Sequence, residues 1–356
     1  MRLRHGLLLI LSAFTLAACE SPPEAISDCQ GTDRIDAICE FQRPEDFAAL
    51  PDGRHIIVSE FGGMYGEMSG RLSLLDSNNW RRRELTVIES GPQRWGSADC
   101  QAPLGNKLSP HGIHLSQRSD GKRQLLVVNH GKRESVEMYE LRMQPFPTLI
   151  WRGCVIAPKT ALLNDVVGLP DGGFIVTSMY DRTAMKIAHL GLPMFTSPLG
   201  FKVGHAYEWN GESLALLEYT RSPVPNGIEI SEDGKTLFLN VSRTNEIWKI
   251  DRLTGEKLGV AKVTAPDNSS WAADGRLLVA SLTEGLRGIL DCFNSPKQSC
   301  GARYEIVAID PETMTTETLF EHRGAPMGAA TVALEHKDRW VIGSFVGDRL
   351  VTVKTR

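Results

Sequence analysis

The stretch PNGIEISEDGKTLFL, residues 225–239, reads as a single β-hairpin. Two apolar runs flank Asp233-Gly234, and an Asp-Gly pair in that setting is a strong short-range hairpin signal. The unit recurs along the chain, with turns at Asp52-Gly53, Asp120-Gly121, Asp171-Gly172, Asp233-Gly234 and Asp274-Gly275, and a sixth at Asp338-Arg339. A short strand precedes each turn: FAAL (47–50), GIHL (112–115), VVGL (166–169), GIEI (227–230), SSWA (269–272) and TVAL (331–334). Another follows it: HIIVS (55–59), QLLVVN (124–129), FIVTS (174–178), TLFLNVS (236–242), RLLVAS (276–281) and RWVIGS (339–344). Further strands such as RLSLLD (71–76), SVEMYEL (135–141), EIWKID (246–251) and EIVAID (305–310) extend the units. The turns are 41 to 68 residues apart, which is room for four strands and a variable loop. The expectation is an all-β fold: a six-bladed β-propeller, four strands per blade, with the first strand of each blade lining a central tunnel.

Composition narrows the function classes. The chain has 356 residues, 42% hydrophobic and 23% charged, as expected of a globular protein. A formal charge of -4 and the lack of a long basic run argue against a nucleic-acid partner. The N-terminus has a basic start (Arg2, Arg4, His5) and an apolar core from Leu7 to Leu16, the pattern of a secretion signal. It ends in Leu16-Ala17-Ala18-Cys19, which resembles the bacterial lipobox. Residues 1–18 are then a signal peptide. Residues 19–38 are an acylated Cys19 and a tether, with ESPPEAIS (20–27) as its flexible part, and residues 39–356 are the propeller. The expected location is the bacterial cell envelope, as an exported lipoprotein held to a membrane by its lipid.

Six cysteines remain: Cys29, Cys39, Cys100, Cys154, Cys292 and Cys300. An even number in an exported chain suggests disulfides, and six allow fifteen pairings. Local spacing favours Cys292 with Cys300 and Cys29 with Cys39, which leaves Cys100 with Cys154. No CxxC pair supports a Cys-based zinc site.

Counting back seven residues from each Asp turn gives Glu45, Ile113, Asn164, Asn226, Asp267 and Thr331. Four of the six carry a side-chain carboxylate or amide oxygen. Glu45, Asn164, Asn226, Asp267 and the adjacent Asn268 offer only oxygen, and a mixture of carboxylates and amides suits calcium rather than zinc or copper. Asp46 and Asp165 come one residue later. Strand alternation turns them to a second, deeper location, a place for a second calcium. His111 opens the first strand of blade 2 and His130 ends its second, so a histidine base for water stands at the same end. Residues 183–204 break the strand rhythm and read as an insertion, either a lid or substrate wall or simply a surface-packed loop.

The stretches PHGIH (110–114), LLVVNH (125–130), LNDVV (163–167), PNGIEISEDGKTLFL (225–239), PDNSS (266–270) and GAATVALEHKDRWVIGSF (328–345) resemble the serum paraoxonase/arylesterase family. So does PED (44–46) followed by ALPDG (49–53). PNGI and LPDG are shared with gluconolactonase-like and strictosidine-synthase-like propellers. The resemblance covers about residues 39 to 356. It implies two calcium ions in the tunnel: a catalytic ion on Glu45, Asn164, Asn226, Asp267 and Asn268, and a structural ion on Asp46, Asp165 and the Ile113 carbonyl. It also implies a His111–His130 dyad and hydrolysis of lactones or aryl esters. That family closes its ring with a disulfide to the last strand. No Cys follows residue 300 here, so closure is non-covalent or Cys39 pairs elsewhere. The expected partners are a small lactone or ester and a membrane; oligomeric state is not legible. Two alternatives stand beside this reading: a non-catalytic propeller stabilised by calcium, and a sugar-lactone hydrolase with one divalent metal. Thr331 has no expected role.

Overall fold

The computed structural model describes residues 21–89, 95–100, 102–187, 190–294 and 298–355. The expected signal peptide and Cys19 lie outside these residues.

Turn chemistry builds the repeat. In the five Asp-Gly turns the Gly has a positive φ, between 62° and 93°. The Asp side chain accepts the backbone N–H two residues on, as Asp233 does from Lys235 (3.1 Å) and Asp274 from Arg276 (3.0 Å). Asp closes the turn and Gly takes the left-handed position, so the pair recurs. The strands on either side form antiparallel pairs, for example Ile230 opposite Leu237.

Six blade sheets result: five are four-stranded and antiparallel, and in blade 2 the four antiparallel strands are extended by two short parallel ones, Thr86–Ile88 and Trp95–Gly96. Their innermost strands are Pro44–Ala49, Pro110–Gln117, Leu163–Gly168, Pro225–Ile230, Pro266–Trp271 and Ala330–His336. Each packs against the next in chain order, and the last packs against the first. Aliphatic and aromatic side chains fill the wedges between blades; Leu237 and Leu239 of blade 4 share one cluster with Val167 and Ile175 of blade 3. The chain is a six-bladed propeller, as its turns predict.

Closure joins the two ends of the chain. The outer strand of blade 6 is Ile35–Ile38, paired antiparallel with Leu350–Lys354, Ile35 opposite Val353. The sequence reading placed these residues in the tether; their partner lies more than 300 residues away, out of reach of local pattern. Nor does the rest of that segment dangle. Ala25 and Ile26 pair with Cys300 and Ser299. Arg349, fully buried, donates to the carbonyls of Ile26, Asp28 and Pro326. The disulfides are Cys29–Cys39, Cys100–Cys154 and Cys292–Cys300. Cys39 therefore pairs within the N-terminal segment, and the ring is closed by hydrogen bonds.

A chain beginning at Cys39 should unfold at lower urea than one beginning at Ser21, by roughly 3 kcal/mol or more, because a paired strand and the buried Ile35 are lost. Equal midpoints would show that Ile35–Ile38 contributes nothing to the ring.

Candidate active site

Each inner strand carries a β-bulge within its first few residues. In blade 1 Pro44 pairs with Glu60 and Asp46 with Ser59, leaving Glu45 extra. In blade 3 the register slips between Leu163 and Val166, in blade 4 between Pro225 and Ile228, and in blade 5 between Pro266 and Ser269. In blade 6 it slips between Ala330 and Val332. A bulge adds a residue to one strand and re-aims its side chain. At each bulge the second residue of the strand turns to the axis. The six side chains so placed are Glu45, His111, Asn164, Asn226, Asp267 and Thr331, and all line one cavity on the face where these strands begin.

Blade 2 corrects the sequence count. Seven residues before Asp120 is Ile113, but the strand there is eight residues long and its bulge lies between Pro110 and Ile113. The equivalent position belongs to His111. Ile113 lies deeper and gives its N–H to Asp46 Oδ2 at 2.6 Å.

The ring is rich in unsatisfied oxygen. Glu45 Oε2, Asn164 Oδ1, Asn226 Oδ1 and Asn268 Oδ1 are buried without a hydrogen-bond partner. An orphaned buried acceptor costs about 1–3 kcal/mol, so four on one axis are not packing accidents. Burial pushes the Glu45 carboxyl up to about 8, and burial with the Glu45 charge raises Asp267 well above the carboxylate range. A hard cation answers both problems, giving the oxygens a partner and the carboxylates a counter-charge. Among the described residues no group of three or more His, Cys, Asp and Glu is placed to hold a metal. The donor set that fits is amide-rich: Glu45, Asn164, Asn226, Asp267 and Asn268. Asn268 also donates to Glu45 Oε1 at 2.8 Å, which fixes the two against each other.

The deeper layer differs. Asp46 accepts the N–H groups of Phe47 (2.8 Å) and Ile113, and Asp165 those of Val166 and Ile228 (both 2.8 Å). Both carboxyls are raised well above their usual range, chiefly by burial and then by the charge of Glu45 on Asp46 and of Asp46 on Asp165. Neither has an orphaned oxygen, and each bridges to the next blade. They serve as staples between blades 1 and 2 and blades 3 and 4; a second ion has no support here. Thr331 also acquires a role. Its hydroxyl donates to the Glu45 carbonyl at 2.7 Å, joining the last blade to the first.

Beside the ring runs a line of proton-carrying groups. His111 Nδ1 is 2.9 Å from His130 Nε2, and His130 Nδ1 is 3.0 and 3.1 Å from the two oxygens of Glu134. Glu134 accepts from His130, so the neutral His130 presents Nε2 as an acceptor and His111 must give it the Nδ1 proton; these tautomers are assigned from the network. That leaves a bare lone pair on His111 Nε2, which faces the cavity 3.5 Å from Glu45 Oε1. Burial holds His111 well below its usual pKa, as a neutral base. Phe61 stacks on its ring, centroids 4.4 Å apart. Glu134 itself is held by the Leu163 N–H (2.6 Å) and Arg182 (2.8 Å). Sequence reading missed Glu134; its only signal is its place four residues after His130.

Part of the remaining wall is apolar, with Arg243 and Glu284 also in the lining. Met194, from the 183–204 insertion, lines the cavity, so the insertion supplies a wall; Ala188 and His189 fall outside the described residues. A second excursion, the helix Leu286–Asn294, was not read from the sequence and adds Ile289 and Phe293. The Cys292–Cys300 disulfide pins that helix.

A six-bladed propeller with an oxygen ring and a buried histidine base at one tunnel mouth defines the class. The particular family follows from the sequence: the profile described as the SMP-30/Gluconolactonase/LRE-like region matches residues 107–285, just over half of the chain, and the chain belongs to that family. The matched span holds four of the six ring residues, His111, Asn164, Asn226 and Asp267, together with Asn268, His130 and Glu134. This is the wider superfamily of the resemblance; the match does not single out its paraoxonase branch. Among solved structures, a luciferin-regenerating enzyme is 13% identical with a TM-score of 0.53, covering 90% of this chain and 97% of that one. A gluconolactonase from Xanthomonas campestris is 15% identical with a TM-score of 0.51, covering 94% and 95%. At such identities they show the fold. No curated protein matches the chain.

Replacing Asn164 with Leu removes one orphaned oxygen and should stabilise the cation-free protein by about 1–3 kcal/mol. Any rise in Tm that calcium produces in the parent should be mostly lost in the same variant. Melting curves with and without chelator read both effects; a Leu variant still fully stabilised by calcium would remove Asn164 from the centre.

Proposed function

We propose that this protein is a lactone hydrolase that works with one bound divalent cation, calcium. The observation that carries the reading is the set of four orphaned oxygens, three on residues that line the cavity with His111 and the fourth on Asn268 beside Glu45. Membership of the gluconolactonase-containing family supports it. A bound cation would supply the positive charge that polarises the ring ester carbonyl. The chain's own residues do the rest. His111 Nε2 accepts a proton from water while its Nδ1–H stays bonded to His130. Glu134 keeps the His130 proton on Nδ1 and so keeps His111 in the basic tautomer. On ring opening the proton returns from His111 to the leaving alkoxide. Phe61 and the wall of Met194, Ile289 and Phe293 exclude water from one side and suit a lactone with an apolar substituent. Aryl esters, which share the planar acyl group, are the second substrate class.

His111→Asn should lower kcat roughly 100-fold or more while leaving the calcium-induced rise in Tm intact. Chelation should abolish turnover and lower Tm together. A protein stabilised by calcium but inert toward a broad lactone and ester panel would be the non-catalytic propeller instead.

The panel also separates substrate types. Lactones with aliphatic side chains should show higher kcat/KM than unsubstituted sugar lactones, by roughly tenfold for a few buried methylenes. The reverse order would make this a sugar-lactone hydrolase.

A further inference from the structure

Arg243 carries a charge that the fold does not answer. It stands on the short turn Ser242–Thr244, which follows the second strand of blade 4, Thr236–Val241, on the cavity face. The residue is half-buried and lines the cavity, and its Nε is buried without an acceptor. Among the described residues it has no ion pair and no hydrogen bond. Burial lowers its pKa, and no carboxylate charge opposes that. A guanidinium drawn out of water is unfavourable unless an anion pairs with it.

The carboxylates of the lining are already taken. Glu284 accepts from the Arg303 N–H at 2.9 Å and pairs with Arg323 at 3.3 Å. Glu45 and Asp267 belong to the oxygen ring. Among the described residues of the lining Arg243 is the only Lys or Arg.

The turn under it is held from several directions. The Ser242 N–H donates to the Val224 carbonyl at 3.2 Å, and Ser242 Oγ donates to the Pro266 carbonyl of blade 5 at 2.6 Å. Asn245, at a φ of 56°, accepts the Ala265 N–H on its side chain at 2.9 Å. Ser197–Leu199, from the blade 3 excursion, packs against Ser242–Thr244. A fixed base reduces the ordering that a bound ligand must impose. In ring order Arg243 stands between the excursion that brings Met194 and the helix that brings Ile289 and Phe293. A ligand on that apolar wall has the guanidinium within the same cavity.

We propose that Arg243 is a specificity-determining residue that takes a carboxylate of the substrate: the lactone bears an apolar side chain ending in a carboxylate, and ring opening yields a hydroxy dicarboxylic acid. The inference rests on the lactonase reading of this cavity and adds a charge to its substrate. A carboxylate matches the planar guanidinium fork through two parallel N–H···O bonds. Neutral sugar lactones and simple alkyl lactones both leave the charge unpaired.

The test gives the calcium-loaded protein two γ-lactones with the same alkyl side chain, one ending in a carboxylate and the other in the primary amide. The parent kcat/KM should favour the carboxylate about tenfold or more, chiefly through KM. Arg243→Gln should bring the ratio near unity, Arg243→Lys should keep part of it, and Arg243→Glu should reverse it. Arg243 makes no bond in the fold, so these variants should keep the parent Tm. Calorimetric titration with the matching cyclic ketone acid, which cannot be hydrolysed, reads binding without turnover. Its Kd should rise about tenfold in Arg243→Gln. Equal kcat/KM for acid and amide in the parent, or a ratio untouched by Arg243→Gln, overturns the proposal and leaves the lactonase reading standing. A ketone acid bound through Arg243 by a protein that opens no lactone upholds the carboxylate site and sinks the lactonase reading instead.

Discussion

The site depends on one kind of hydrogen bond: a side chain of one blade held to the backbone carbonyl of an axial residue in the next. Ser59 binds the His111 carbonyl, Thr177 that of Asn226, Asn240 that of Asp267, and Thr331 that of Glu45. Each bond fixes a bulged residue at its carbonyl while its side chain reaches the axis. A bulge alone would leave that side chain free to swing. Blade docking and side-chain aim are thus the same interaction, and a loosened blade junction misplaces a ligand. The junction between blades 6 and 1 is the most exposed to this, because it joins segments from the two ends of the chain.

The cavity face concentrates unfavourable terms. Three orphaned acceptors, raised carboxyls and a neutral buried histidine lie within one mouth. Backbone strain is added at the entrances: Arg43, Val224, Ala265 and Ala329, each just before an inner strand, have φ between 37° and 58°. Non-glycine residues take such values only where the surroundings impose them. The apolar wedges and inter-blade staples supply the stability that these terms spend. A cation held there as proposed would relieve the electrostatic part, and its binding would then be coupled to folding.

The fold was legible because turn chemistry is local. Asp and Gly each serve a specific backbone need, and six copies announce six hairpins. The ring oxygens were legible because a repeat places them at nearly one count from the turn. The count failed in blade 2, where Gln117 pairs with Arg123 across a longer loop and the strand is longer. Chain length is not what sets the position; the bulge is, and a bulge has no fixed sequence. Thr331 was found by the count but not understood, since its partner is a backbone carbonyl 286 residues away. Glu134 lay in a loop and Ile35–Ile38 in an apparent tether, and both gain meaning only from contacts across the ring.

Ring closure also orders assembly during synthesis. Glu45 emerges from the ribosome early; Thr331, which holds its carbonyl, and Leu350–Lys354, which pairs with Ile35–Ile38, emerge at the end. All five proposed oxygen donors are made once Asn268 is added, but the Glu45 carbonyl gains its Thr331 partner only when blade 6 appears, so Glu45 is fixed on the axis last. The first-made residues of the propeller wait for the last, and until then a nascent chain holds an open arc with two uncovered blade faces and Ile35–Ile38 without its partner strand.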